Sequence, residues 1–140
     1  MLGANDTAPR MKPLPAVASE TPTFSANTML ESEFRPHWQS SQTGVSRDVA
    51  HMFTGKDFTG STIGIAYLSG VCNSLGYGIT QRYGNLSVRT AICNHELGHN
   101  WSAPHCDSSP DCTIMCSSIN GCAGSNSAFS STSINSITNY

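Results

Sequence analysis

Charge is scarce in this 140-residue chain: Asp, Glu, Lys and Arg together make up 11%, against roughly 25% in an ordinary soluble domain. The formal net charge of -2 leaves no basic excess to neutralise phosphates, which argues against nucleic acid as a partner. Long apolar runs are missing too. None approaches the roughly 20 residues a membrane helix needs, so no membrane span is expected. The first 30 residues hold no apolar stretch followed by a small-residue cleavage site, the pattern of an export signal. The length suits one domain with a single modest core.

Cysteine is plentiful by comparison. Six are present, five of them between Cys93 and Cys122. An even number in a short chain reads as a disulfide framework from an oxidising compartment. An extracellular location is therefore expected, with any export signal lying upstream of Met1. The alternative is a reduced protein with inert buried thiols. Asn5-Asp6-Thr7 and Asn85-Leu86-Ser87 are glycosylation sequons that a eukaryotic secretory route would use.

Residues 1–27 carry four of the seven prolines and no aromatic before Phe24, which predicts an unstructured lead-in. Met29, Leu30, Phe34 and Trp38 recur at helical spacing, with Pro36 limiting a regular helix. Val49, Ala50, Met52 and Phe53, stopped by Thr54-Gly55, predict one strand; Ile63 to Leu68, between Gly60 and Gly70, predict another. The glycine-rich segment 73–85 reads as a loop with a short strand around Tyr77 to Thr80. Ser87 is placed to cap a helix beginning at Val88. Val88, Ile92, His95 and His99 then share one face of that helix. Ile134 and Ile137 suggest a last short helix.

The informative stretch is His95-Glu96-Leu97-Gly98-His99-Asn100-Trp101-Ser102-Ala103-Pro104-His105. Histidines four apart stack one helical turn above the other, so both imidazoles reach one ion, and the glutamate between them stands beside it. Ala103-Pro104 ends the helix, and His105 swings back as a third nitrogen ligand, leaving a fourth tetrahedral position for water. Three histidines and a glutamate at these offsets arise by chance with a probability on the order of 10⁻⁴ in a chain this long, so a purely structural reading fails here. His37 and His51 lie in no such cluster and read as ordinary surface or packing residues.

With these residues the chain resembles the metzincin zinc endopeptidases, and within them the adamalysin or reprolysin branch. His95, Glu96, His99 and His105 match the signature H-E-x-x-H-x-x-G-x-x-H, and Cys112-Thr113-Ile114-Met115 resembles the branch's methionine turn. Thr62 to Tyr67 with Cys72 is similar to its substrate-lining edge strand, and Arg47 to Gly55 to the strand before it. The resemblance runs from about Leu30 to Phe129.

It implies an α+β, metzincin-type fold: an N-terminal sheet with the active-site helix, then a loop-rich, disulfide-stapled C-terminal part. Residues 28–140 are expected to form a catalytic domain that is partial, with an incomplete sheet. On this view a strand without its neighbour leaves the 140 residues poorly folded or aggregation-prone by themselves. The resemblance further implies a monomeric, secreted zinc endopeptidase acting on polypeptides. One Zn²⁺ would sit on His95, His99 and His105, with Glu96 as general base and Met115 beneath the metal. Substrate would extend along the edge strand Ile63, Gly64, Ile65, Ala66 and Tyr67. The alternative is a degenerate zinc-binding fragment without turnover.

Two departures from the family pattern stand out. Ser102 replaces the signature glycine, where a positive φ is usual and a non-glycine residue costs on the order of 1 kcal/mol. Phe129-Ser130-Ser131-Thr132-Ser133 lacks the cysteine that partners Cys72 in the family, and Cys93 is the extra thiol able to replace it. Of 15 possible connectivities, the expected one pairs Cys72 with Cys93, Cys106 with Cys122 and Cys112 with Cys116. A structural zinc site on these thiols is the alternative, because Cys112-x-x-x-Cys116 also has ligand spacing.

Overall fold

The computed structural model describes residues 24–122, 124 and 126–140. A helical segment opens the fold: α1 (Ala26–Thr28) runs into a π-helical stretch (Met29–Phe34) and then α2 (Arg35–Ser41). Pro36 does not stop this helix. The Arg35 N–H reaches back five residues to the Leu30 carbonyl. The π turn thus ends where the proline, which has no N–H, could not have extended the ladder, and the helix continues beyond it. The predicted lead-in, residues 1–27, falls outside the described residues except for its last four. Those four are ordered: Phe24 bridges to Phe58, and Ala26 is buried at the start of α1.

Three strands follow, β1 (Ala50–Thr54), β2 (Gly64–Ala66) and β3 (Tyr77–Gln81), in the order β1-β3-β2. β3 lies parallel to β1, Ala50 opposite Tyr77, and antiparallel to β2, Ile65 opposite Ile79. The glycine-rich segment therefore supplies the central strand, buried along its whole length. Its glycines are there for close approach. A Cβ on Gly78 would fall 2.8 Å from the His51 ring, and one on Gly76 would fall 2.4 Å from the Asp48 carbonyl oxygen.

One apolar cluster gathers Ala26, Met29 and Leu30 from the helical segment against Ala50, Tyr77 and Ile79 of the sheet. Arg47 fastens the two layers, its guanidinium lying 5.1 Å from the Trp38 ring and 4.4 Å from the Tyr77 ring. The long helix α3 (Leu86–Asn100) packs across β3 and β2. It begins two residues earlier than expected, because Asn85 and not Ser87 is the N-cap, its Oδ1 accepting from the Val88 N–H at 3.1 Å.

Beyond α3 a second cluster forms around Met115, with Ala103, Ile114 and four cysteines. The expected cysteine pairing is overturned. Cys106 pairs with Cys112 and Cys116 with Cys122, while Cys72 and Cys93 are free thiols. Each bridge closes a sequence separation of six residues, with Cα atoms 5.2 and 5.9 Å apart, inside the range a disulfide spans. With all four sulfurs so used, the alternative of a zinc site on these thiols falls as well. Helix α4 (Ser131–Thr138) closes the fold, its first turn bound to the Asp111 carboxylate through the Ser131 N–H and hydroxyl. Among the described residues no helix is long and apolar enough to cross a membrane.

Candidate metal centre

α3 carries His95, Glu96 and His99 to the cleft side of the sheet and then ends abruptly. The Ala103 N–H reaches the Gly98 carbonyl at 2.9 Å and the Ser102 N–H reaches the His99 carbonyl at 2.9 Å. This is the paired pattern of a Schellman stop, which needs a left-handed residue at its centre. Ser102 supplies it with φ +71. Ala103 is fully buried behind the turn, and Pro104 sends the chain back so that His105 faces the helix.

The three imidazoles converge. The Nε2 atoms of His95 and His99 each lie 3.2 Å from Nε2 of His105. A tetrahedral zinc ion with Zn–N bonds of about 2.0–2.1 Å sets its nitrogens about 3.3 Å apart, so the donor set fits. The tautomers fit too. His95 Nδ1 lies 2.7 Å from the Ile114 carbonyl and His99 Nδ1 2.9 Å from the Ala103 carbonyl. A carbonyl only accepts, so each Nδ1 carries the proton and each Nε2 presents its lone pair inward. Burial lowers His95, and burial aided by the neighbouring imidazoles pushes His99 down to about 4. Both rings are neutral near pH 7, as ligands must be.

Glu96 is 5% exposed, and in the metal-free chain burial raises its carboxyl to about 8. Gly64 makes room for it: a Cβ there would sit 2.3 Å from Glu96 Oε1. The imidazoles and Glu96 open into a cleft of about 770 Å³ walled by residues 63–66 on one side and Cys116 to Ile119 on the other. Among the described residues β2 is one of the two edge strands of the sheet, the one beside the cleft. Ile63 and Tyr67 bond to β3, through the Gln81 N–H at 2.9 Å and the Tyr77 carbonyl at 3.3 Å. By the alternation of an antiparallel pair, the N–H and C=O groups of Gly64 and Ala66 point away from the sheet.

Of the expected site residues, His95, Glu96, His99 and His105 with Ile63, Gly64, Ile65 and Ala66 line this cleft. Tyr67 does not. Its hydroxyl accepts from Arg35 Nη1 at 2.7 Å, on the helical side of the sheet. Met115 is fully buried, its sulfur so close under Gly98 that a Cβ there would lie 2.5 Å from it. A residue with no signal at its position is Asn100, also fully buried, whose Nδ2 donates to the carbonyls of Tyr67 at 2.8 Å and Tyr77 at 3.1 Å. It moors the helix end to β3 and to the residue that follows β2.

The fold and this histidine set are those of a metallopeptidase. The family model described as Reprolysin_5, metallo-peptidase family M12, matches residues 4–140, and the chain belongs to that family. It is similar to the snake venom metalloproteinase trimerelysin-2 of Protobothrops flavoviridis, with 39% identity over 64 residues. That alignment covers 44% of this chain and 32% of the venom protein.

Proposed function

We propose that the chain is a zinc endopeptidase, exported from the cell, with His95, His99 and His105 as the ligands and Glu96 as the general base. The observation that carries this reading is the convergence of three Nε2 atoms at zinc spacing beside a buried carboxylate on the wall of an open cleft. Zinc bound there would lower the pKa of its water toward about 7 and polarise a carbonyl oxygen. Glu96 then takes the proton of the attacking water and passes it to the departing amine. Gly64 and Ala66 pair with the backbone of an extended polypeptide, so recognition is by strand addition and independent of most side chains. Met115 supports the helix beneath the ligands. Export is supported by the two disulfides.

The test is cleavage of an unstructured protein with and without a chelator, alongside elemental analysis. One zinc per chain and chelator-sensitive cleavage are expected, with zinc lost in His95→Ala, His99→Ala and His105→Ala. Glu96→Gln should keep its zinc while kcat falls by roughly 10²-fold or more. A second reading, a zinc-binding module without turnover, draws on β1, which among the described residues has a neighbouring strand on one side only. Bound zinc with no cleavage in the unaltered chain would favour it.

A further inference from the structure

We infer that Ser69 and Ser102 are positioning residues for the third metal ligand, their paired hydroxyls holding the turn that returns His105 to the helix histidines. The inference rests on the zinc reading above. The three imidazoles are not held alike. His95 and His99 each donate Nδ1–H to a backbone carbonyl, whereas His105 is exposed and, among the described residues, its hydrogen-bond contacts are with the other two imidazoles. Its aim therefore depends on the backbone on either side. After it, Cys106 is fixed by a disulfide and by its N–H on the Met115 carbonyl at 3.1 Å. Before it stands the turn at Ser102.

That turn is stitched to the loop following β2. The N–H groups of Ser69 and Ser102 both reach the His99 carbonyl, at 2.8 and 2.9 Å, and the Val71 N–H reaches the Asn100 carbonyl at 3.1 Å. The last carbonyls of the helix are thereby satisfied by the loop. Ser69 and Ser102 both hold left-handed backbone, φ +58 and +71, and the Ser69 hydroxyl donates to Ser102 Oγ at 3.0 Å. The loop is itself anchored, its Ser69 and Val71 carbonyls accepting from the Tyr140 hydroxyl at 2.8 and 3.1 Å. Glycine at position 102 would adopt this φ freely but could make no tether. Serine accepts the strain and gains a side-chain link between the loop that follows β2 and the turn that carries His105.

Zinc dissociation constants of the full chain, read by competition with a fluorescent chelator, test this. Ser69→Ala and Ser102→Ala should each weaken zinc about 10-fold, the low end for loss of a group that orients a ligand. Ser102→Gly should bind as the unaltered chain does, and Ser69→Ala should add nothing on the Ser102→Gly background. Circular dichroism of the metal-free variants checks that helix content is kept, and the Ser69 arm stands if Ser102→Ala misfolds. Affinities within twofold of the unaltered chain for both alanine variants would overturn the tether. So would an equal loss from Ser69→Ala with serine or glycine at 102. No zinc on the unaltered chain would sink the metal reading and this inference together, an outcome distinct from zinc bound with equal affinity throughout.

Discussion

At the scale of single residues, Gly64 illustrates how a missing side chain shapes a site. Its absent Cβ is occupied by the Glu96 carboxylate, and Ile92 Cγ2 also lies within 2.9 Å of that point. A methyl there must push the carboxylate out of place. Gly64→Ala should therefore retain zinc while kcat falls by about 10-fold or more with KM little changed, as expected when a proton acceptor is displaced by about 1 Å. Single-turnover kinetics with metal analysis checks this, and unchanged kcat would refute it. His51 gives a pH prediction. Its ring is partly buried against Gly78, Nε2 lies 2.8 Å from Thr80 Oγ1, Nδ1 has no partner among the described residues, and burial holds its pKa at about 4. The folded value lies below the unfolded 6.5, so the neutral ring contributes stability above pH 6.5 that is lost as pH falls toward 4. His51→Gln, which keeps a donor for Thr80, should flatten that slope. Denaturant midpoints at pH 7 and 5, both with chelator, should lie closer together than in the unaltered chain.

At the scale of elements, α3 was the most legible. Its inward stripe of Val88, Ile92, His95 and His99 follows from 3.6-residue periodicity alone. β1 and β2 were visible as bounded apolar runs. β3 was underestimated, because Gly76 and Gly78 look like loop residues until the His51 ring and the Asp48 carbonyl are seen to occupy the space beside them. Pro36 misled in the opposite sense, since a π turn absorbed it. The cysteines misled most: spacing cannot say which Cα atoms come within bridging distance, and in the fold Cys106 meets Cys112 and Cys116 meets Cys122. Thiol titration of denatured, unreduced protein made under oxidising conditions should accordingly find two free thiols per chain, and peptide mapping should place them at Cys72 and Cys93. A count near zero would mean that those two have paired.

At the scale of the whole molecule, α3 lies between two apolar clusters, one under the helical segment and one around Met115. The proposed ligands draw on both sides: His95 and His99 come from the helix, His105 from the cysteine-rich loop, and Ile114 of that loop orients His95. A bound ion would therefore cross-link the two parts and stabilise their contact. Binding to the folded chain alone contributes about 2.7 kcal/mol at free zinc 100 times Kd and about 4.1 at 1,000 times. At a few degrees per kcal/mol for a chain of this size, chelation should lower the thermal midpoint by roughly 5 °C or more, and added zinc should restore it. A midpoint indifferent to chelator would contradict the cross-link. Differential scanning calorimetry reads the shift directly.

What the amino-acid order alone determined is the chemistry held within a few residues: two histidines and a glutamate on one helix, a break at Ala103-Pro104 and a third histidine beyond it. These follow from helical geometry and local sterics, which act over one or two turns. Only the tertiary structure decided what depends on distant segments meeting. It made a glycine-rich segment the central strand, turned Tyr67 toward Arg35 and away from the cleft, closed Cys106 with Cys112 and Cys116 with Cys122, and set Ser69 against Ser102. Each of those outcomes depends on which backbone groups and side chains are left without partners once the helix has docked on the sheet, a balance summed over the whole chain and written in no single stretch of it.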